Sequence, residues 1–502
     1  MKRFTKKLCY YRPVSFLLYV LFTYALYLFS FLEEPVDDLG NPIPHDEIMT
    51  MIVAFGIIAF VVWIGLSIYG VLYYYTSRYE LTDKEIICKR GVLFQKKSVI
   101  EYKKIHAINQ KQGLLQRLFG ISVLYVDSGS TSTTTTAEVV IYEDSEIVNK
   151  LYKRLQGIDT NETSVEENVS IENQDSLYSF NSIRKLIYSA LNVVATLMSI
   201  VIASIVILIV LAMVNHFVEE IDWLTVILIG LGIYLIANLL VFIGSCLYSF
   251  ISLHNFKIIK DQKSLNISYG LFTKINNTFQ LNRVKGIKIE QGLIKRIFGF
   301  VTVKLEVIGY NHGSDENENQ NASIGILIPL CRKTEVNELI GKILPEYVPS
   351  EKQTHAKSYW SFVNLPTLFL AIIMGIIMLL ILPFVIVVNE NLGYWIYILG
   401  NVLSFIIIEI IILVTGIFKY YEQDVVIEDN KITTYSGGIN RVTTVIKKEN
   451  IIAIEDITTY HRAKKGIYTF AIHFHTNALT NVIKVENVDQ KLKEQLLTLM
   501  KY

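Results

Sequence analysis

Two histidines separated by one residue are the nearest approach to a metal motif in this sequence. His473 and His475 would lie on one face of a predicted strand, because side chains alternate between the faces of a strand. Two imidazoles without a nearby cysteine or carboxylate make a poor zinc site, so ordinary strand histidines are the favoured interpretation. The sequence also contains no glycine-rich phosphate loop and no nucleophile elbow. We therefore expect no metal, no cofactor and no enzymatic activity.

Glu409 is an acidic residue inside a long apolar segment, roughly nine residues, or about 13 Å of helix, from the basic end of that segment. A carboxylate in a membrane interior is costly, which makes it a candidate functional group. The alternative is a protonated side chain that hydrogen-bonds to Asn192, Asn238 or Asn401. The sequence leaves both interpretations open.

Charge and cysteine content argue against two classes of protein. The net charge of the 502-residue chain is +1, whereas a nucleic-acid-binding domain carries a strongly basic face. The four cysteines (Cys9, Cys88, Cys246 and Cys331) are far apart and have neither metal-binding nor redox spacing. We therefore expect reduced thiols and no nucleic-acid partner.

Six apolar segments are long enough to cross a bilayer, which takes about 20 residues. They cover residues 14–32, 48–75, 184–214, 223–251, 362–388 and 392–418. The basic start of the chain is similar to that of a signal peptide, but no small-residue cleavage site follows the first apolar segment. The sequence therefore predicts six transmembrane helices in three hairpins.

The loops between these segments indicate an orientation. The connections within the hairpins, residues 33–47, 215–222 and 389–391, contain acidic residues but no lysine or arginine. Basic residues lie at the other helix ends: Arg12, Arg78, Arg184, Lys185, Lys257, Lys357 and Lys419. By the positive-inside rule, we expect both termini and all soluble parts of this plasma-membrane protein to be cytoplasmic.

The soluble parts resemble one another. A nine-residue box, Gln-Gly-Leu-Leu-Gln-Arg-Leu-Phe-Gly at 112–120, recurs at 291–299 with six identities, an offset of 179. The same offset relates Gly91 to Gly270. A third copy, at an offset of 346, has a glycine at Gly437 but keeps only Gly466 of the box. Recurrence at fixed offsets indicates a series of related domains.

The polar residues of the box have two interpretations. Arg117 and Arg296 would present a guanidinium to a lipid phosphate or to a carboxylate of a partner, since the planar fork fits both. Alternatively, the box forms a tight turn with core anchors, and the arginine holds a backbone carbonyl. We favour the structural interpretation, and we keep Gln112, Arg117, Gln291 and Arg296 as candidate interaction residues.

The soluble parts are mildly basic, and four lysines of the first are candidates for contact with lipid headgroups. They are Lys96, Lys97, Lys103 and Lys104. Beside an anionic leaflet, each well-placed cation contributes on the order of 1 kcal/mol. A solvated face of the domain is the alternative.

Each soluble part is predicted to be a run of short strands closed by an amphipathic helix. Apolar residues recur at i, i+3 and i+4 in 143–155, 334–344 and 489–500. The predicted organisation is transmembrane hairpins at 1–75, 183–251 and 362–418, soluble domains at 76–157, 252–347 and 419–502 (the last divergent), an acidic linker at 158–182 and a second linker at 348–361.

The glycine turn after a strand, the box and the alternation of two helices with one β-domain resemble the bacterial pleckstrin-homology-like (PH-like) domain membrane proteins of the YdbT-like family. The resemblance covers essentially the whole chain, although the third copy departs from the box. It implies three PH-like domains, each a seven-stranded barrel-like sandwich capped by a C-terminal helix. It also implies no enzymatic activity.

The resemblance implies a role as well. Relatives contribute to resistance against membrane-active antimicrobial peptides or bacteriocins, which favours a membrane scaffold or interaction protein. A regulatory or structural component of a membrane transporter or export complex is the alternative. The expected partners are membrane lipids and a smaller membrane protein with the same PH-like domain, in a homo- or hetero-oligomer.

Overall fold

A computed structural model describes residues 1–29, 44–105, 107–128, 138–155, 177–191, 223–307, 324–352, 369, 372–373, 375–376, 410, 412–438, 440–474 and 481–498. The chain divides into two compact units. Of the described residues, the first unit contains those up to 155 together with 264–280, and the second unit contains the others.

Short β-strands make up the soluble parts of both units. They are β1 (Lys2–Arg3), β2 (Arg78–Leu81), β3 (Glu85–Arg90), β4 (Lys96–Glu101), β5 (Ala107–Gln112), β6 (Ile121–Asp127), β7 (Val139–Asp144), β8 (Tyr178–Ser179), β9 (Lys257–Lys260), β10 (Ser264–Tyr269), β11 (Lys274–Gln280), β12 (Val284–Gln291), β13 (Phe300–Val307), β14 (Ile324–Arg332), β15 (Asp424–Ile427), β16 (Lys431–Gly437), β17 (Arg441–Lys447), β18 (Ile451–Asp456), β19 (Tyr468–Phe474) and β20 (Asn481–Val488).

The helices are α1 (Leu8–Phe29), α2 (His45–Thr76), α3 (Leu114–Leu118), α4 (Ser145–Leu155), α5 (Trp223–Ser252), α6 (Leu293–Ile297), α7 (Val336–Ile343), α8 (Tyr460–Lys464) and α9 (Gln490–Thr498). Residues 182–191 and 412–422 are also helical. Helices α4, α7 and α9 are the three amphipathic helices expected from the sequence. Their apolar faces are buried, for example at Val148, Ile340 and Leu496.

The prediction of six transmembrane helices is wrong. Among the described residues, two helices are long and apolar enough to cross a membrane, namely α1 and the part of α2 from Asp46 to Thr76. Helix α5 contributes a shorter apolar stretch, Leu239–Ser252. Most of the predicted spans 184–214, 362–388 and 392–418 lies outside the described residues. The count of six rested on apolar length, which a span requires but which does not by itself place a helix in a membrane.

Side-chain contacts along their length hold helices α1 and α2 together as a hairpin. The indole Nε1 of Trp63 donates to the carbonyl oxygen of Pro13 (3.1 Å). Nearer the loop, the rings of Tyr27 and Phe55 stack with centroids 4.0 Å apart. The outer faces of both helices are apolar and exposed, as a surface in contact with lipid requires.

The strands of the first unit form two antiparallel sheets. One has the order β1-β2-β3-β4, and the other contains β7-β6-β5-β11-β10. In β3, Ile86 and Cys88 are buried while their neighbours are less so, the alternation expected of a strand with one face on a core. The second unit contains a six-stranded antiparallel sheet, β14-β13-β12-β17-β16-β15, a three-stranded sheet, β18-β19-β20, and the pair β8-β9.

Glycines turn the chain at corresponding places in the series of strands. Gly91, Gly270 and Gly437 have φ of 113°, 106° and 113°, a conformation that L side chains rarely adopt. At Gly91, a Cβ would also clash with the carbonyl oxygen of Phe94. Gly120, Gly299 and Gly466 have φ of 66°, 71° and 67°. The third copy therefore keeps the turn of the box even though its sequence has changed.

The membrane hairpin and the first β-domain share one hydrophobic core. Leu8 of α1 and Tyr73 and Tyr74 of α2 belong to the same buried cluster as Ile86 of β3 and Leu151 of α4. Helix α1 begins at Leu8, earlier than the predicted start at residue 14, because its first turn packs into this core. The β-domain and the ends of the two helices are therefore one folded body.

Candidate interaction surfaces

The glutamines of the box form hydrogen bonds with residues at the start of the strand that follows it. The Nε2 amide of Gln112 donates to the carbonyl oxygen of Ile121 (3.2 Å) and to Oγ of Ser145 (2.8 Å). In the second copy, Nε2 of Gln291 donates to the carbonyl oxygen of Phe300 (3.0 Å), also nine residues ahead. Each glutamine thus ties the end of one strand to the start of the next, across the short helix α3 or α6.

The two arginines of the box have different surroundings. Arg296 forms an ion pair with Glu422 (3.0 Å), and its guanidinium lies 4.5 Å from the centre of the Phe418 ring. Glu422 also contacts Arg441 and lies 3.6 Å from Lys352. Arg117 is exposed and pairs with no acidic residue in the part of the chain that the structure describes. The carboxylate partner of Arg296 is therefore within the same chain.

The four candidate lysines lie in two different elements. Lys96 and Lys97 are exposed on strand β4, and neither pairs with an acidic side chain among the described residues. Lys103 and Lys104 lie in the following 3₁₀ turn, where Nζ of Lys104 is 3.2 Å from Oε1 of Glu101. Contact of these lysines with lipid stays a prediction.

Two further candidates cannot be placed. Glu409 and His475 lie outside the described residues, as do Asn192 and Asn401. Nε2 of His473 is 3.2 Å from Oε2 of Glu455 on the neighbouring strand. Across the described ranges, no group of three or more His, Cys, Asp or Glu side chains is arranged to hold a metal ion.

Aromatic and basic side chains are exposed where the first domain meets the hairpin. Tyr10 and Tyr75 are exposed there, together with Arg3, Lys6 and Arg78. The guanidinium of Arg3 lies 5.5 Å from the centre of the Tyr75 ring. Tyrosine with Lys or Arg is the combination enriched at membrane–water interfaces. We call this set the interfacial belt.

Two ion pairs connect the N-terminal segment to strand β7, and one of them involves a buried carboxylate. Nζ of Lys2 is 3.4 Å from Oε1 of Glu143, and Nζ of Lys7 is 2.9 Å from Oδ1 of Asp144. Burial raises the pKa of the Glu143 carboxyl, and the nearby Lys2 ammonium opposes this rise only in part. Burial also raises the pKa of Tyr79, whose hydroxyl hydrogen-bonds to Glu143. The start of the chain is thus fastened to the β-domain.

Strands from successive repeat domains of the chain pair edge to edge, which the sequence did not predict. In the first unit, β5 pairs with β11, with Ala107 opposite Phe279. In the second unit, β12 pairs with β17, with Gly286 opposite Ile446. We call these two pairings the edge junctions. They join residues at least 150 positions apart in the sequence, so no local pattern predicts them.

Side chains reinforce both edge junctions. At the first, the hydroxyls of Tyr152 on α4 and Thr278 on β11 form a buried hydrogen bond. At the second, Nζ of Lys285 donates to Oδ1 of Asn450 (2.8 Å). The first of these hydrogen bonds is buried, and a buried, satisfied hydrogen bond fixes the pairing geometry more firmly than an exposed one.

In the part of the chain that the structure describes, two membrane-length helices join small antiparallel β-domains, which is the arrangement of a membrane-anchored protein built from β-modules. The model of the bacterial PH domain family matches residues 25–157 and 189–346, more than half of the chain, and the chain belongs to this family. It is 24% identical over 460 residues to the UPF0699 transmembrane protein YdbT of Bacillus subtilis (strain 168), with 86% of each chain covered. This similarity confirms the YdbT-like resemblance. No solved structure matches the chain significantly.

Proposed function

We propose that the chain is a non-enzymatic membrane scaffold that crosses the plasma membrane more than once and carries PH-like domains on the cytoplasmic side. The shared core of hairpin and β-domain carries this proposal. Leu8 is fully buried between helix and sheet, and each buried apolar side chain of this kind contributes about 1.5–3 kcal/mol. A domain fixed in this way is held at the membrane surface and is not free to diffuse on a tether.

The interfacial belt supports the orientation. Arg3, Lys6 and Arg78 lie beside Tyr10 and Tyr75 at the end of the hairpin that joins the β-domain. The loop at the other end, residues 33–47, contains acidic residues and no lysine or arginine. Cations on this side of the membrane are expected to contact the anionic inner leaflet. Membrane lipids are accordingly the first partner that we propose.

Resistance to membrane-active antimicrobial peptides or bacteriocins is the biological role that we propose, and it rests on the family resemblance. A strain lacking the gene is expected to be more susceptible to such peptides, and the wild-type chain restores resistance. A copy with Leu8→Asp, which places a charge in the shared core, is expected to fail. Leu18→Asp tests whether any charge in α1 has the same effect, and quantification of protein in membranes separates loss of function from loss of protein.

Crosslinking in native membranes tests the scaffold role itself. We expect the full chain to be crosslinked to membrane proteins, including a smaller protein with the same type of domain. We also expect no peptide movement across proteoliposomes that contain the purified chain. Peptide transport by those proteoliposomes would contradict the scaffold role and favour a transport component.

A further inference from the structure

The two edge junctions have the same register. The offsets of 179 and 346 make Ala107, Gly286 and Ala453 corresponding positions, and likewise Ile100, Phe279 and Ile446. In both junctions a small residue at the first position faces a large residue at the second position. Ala107 is opposite Phe279 in the first junction, and Gly286 is opposite Ile446 in the second. One pairing geometry is therefore used twice.

Among the described residues, the series of edge junctions leaves one strand edge open at each end. Strand β4 corresponds to β11 and β17, yet its outer edge has no neighbouring strand among the described residues. Strand β18 corresponds to β5 and β12, and its outer edge also lacks a described partner. The paired strands β5 and β12 are largely buried, whereas β18 is intermediate to exposed along its length. An open strand edge is a template for another strand.

We propose that β18 of one copy of this chain pairs with β4 of a second copy, in the register of the edge junctions. Ala453 then faces Ile100, which again sets a small residue against a large one. Ile454 faces Val99, as Ile287 faces Val445 in the second unit. Asp456 faces Lys97. The proposal does not depend on the protective role or on the compound resisted.

Charge favours this pairing. Strand β18 ends in Glu455 and Asp456, both exposed, and β4 begins with Lys96 and Lys97, also exposed. In the proposed register Asp456 is directly opposite Lys97, and Lys96 lies diagonal to Glu455 on the same face. Opposite charges at such cross-strand positions stabilise a sheet, and like charges destabilise it.

Apolar surface at the two ends supports the same pairing. Leu93 and Phe94, in the turn before β4, are 85% and 92% exposed, and Tyr460 after β18 is 77% exposed. In the second unit, Oδ1 of Asn440 accepts a hydrogen bond from the backbone N–H of Leu293 (3.2 Å). By the offsets, Asn440 corresponds to Phe94 and Leu293 to Tyr460. The proposed junction therefore brings Phe94 of one copy beside Tyr460 of the other.

A second copy of the chain is the partner that fits the open edges of both β4 and β18. The acidic edge and the basic edge belong to the same chain, so each copy carries both halves of the contact. Such a contact is heterologous, because two different surfaces of the chain meet. Chains joined in this way form a closed ring if the rotation between neighbouring copies returns to the first copy, and an open filament if it does not. The pairing adds a strand to an existing sheet, the same mode by which extended segments are recognised elsewhere.

Charge reversal in the full chain tests the proposal. Two differently tagged copies are co-expressed, solubilised and co-purified. Lys97→Asp alone and Asp456→Lys alone each place like charges at the junction, and we expect self-association of either variant to weaken roughly tenfold. A mixture of the two variants restores opposite charges at every junction between unlike copies, so association returns to the wild-type level. Lys103→Asp, the same charge change off the strand edge, is expected to associate like the wild type.

The inference is overturned if wild-type chains do not self-associate, or if the single variants associate as the wild type does. It is also overturned if the mixture stays dissociated although both variants have the thermal stability of the wild type. If Lys97→Asp instead reduces only binding to anionic vesicles, or only the capture of a smaller family member, the occupant of β4 is lipid or that protein, and the second copy is rejected.

Discussion

Arg296 lies between the carboxylate of Glu422 and the ring of Phe418, and its side chain is only 19% exposed. An ion pair in this partly dry position is stronger than one on an open surface, because water screens it less. The corresponding Arg117 is exposed. The same box residue thus has a structural partner in one copy and an open surface in the other.

Arg296→Ala is expected to lower the free energy of unfolding of the second unit by about 1–3 kcal/mol, since it removes charge-assisted hydrogen bonds and the ring contact. Arg117→Ala is the matched control, and we expect a change within about 0.5 kcal/mol. Thermal or denaturant unfolding of the purified full chain measures both. Equal effects of the two substitutions would show that the contact with Glu422 contributes nothing.

Cys331 is a buried thiol in strand β14, and burial raises its pKa to about 12. Because the thiolate is the reactive form, we expect almost no alkylation of Cys331 in the folded chain near neutral pH. Unfolding should restore ordinary reactivity. Mass spectrometry of the alkylated peptide provides the measurement, and rapid labelling of folded protein would contradict the burial of β14.

At the level of elements, the main feature is the joining of α1 and α2 to the first β-domain. Leu8, Tyr73 and Tyr74 belong to the core of the first β-domain, and most of the other core residues come from β2 to β7 and α4. Membrane insertion of the hairpin and folding of the domain are therefore coupled. A change at the buried end of α1 should act on the domain, and a change farther along α1 should not.

Leu8→Ala is expected to destabilise the first unit by about 2–5 kcal/mol, the usual cost of a cavity left by a fully buried leucine. Leu18→Ala, at an exposed position on the same helix, is the matched control and should change stability by less than about 1 kcal/mol. Limited proteolysis of the full chain in detergent reports the opening of the domain. Equal protease resistance of Leu8→Ala and wild type would contradict a shared core.

The sequence predicted those elements whose signals are local. Gly91 and Gly437 were predicted to end strands where the chain reverses, and both have positive φ. The closing helices were predicted from i, i+3, i+4 spacing, and their predicted ends agree with the observed ones to within two residues. Helix α4, for example, begins at Ser145 because β7 continues to Asp144.

Long-range features were not predictable from one sequence. The pairing of β5 with β11 joins two short, largely polar strands, and the sequence of a strand does not indicate which other strand will pair with its edge. Arg296 could be proposed to bind a carboxylate, but nothing near it in sequence identifies Glu422. The count of membrane helices failed because hydropathy reports composition and not placement.

At the scale of the whole molecule, the chain is a membrane protein of the bacterial PH domain family, and we propose that all its β-domains are on the cytoplasmic side of the membrane. Within the described units, edge junctions join strands of successive copies into longer sheets. Pairing between the open edges of β4 and β18, as proposed above, would continue these sheets from one chain to the next. Both the proposed function and the proposed pairing of β18 with β4 require all the soluble parts to be on the cytoplasmic side of the membrane.

Thiol accessibility in cells tests that requirement most directly. Cys9 and Cys246, the two partly exposed native cysteines, are replaced by serine, and Lys103→Cys or Asp38→Cys is introduced. A membrane-impermeant maleimide is predicted to label the cysteine at position 38 in intact cells, and the cysteine at position 103 only after the membrane is opened. Labelling of position 103 in intact cells would place the first β-domain outside the cell and contradict the account.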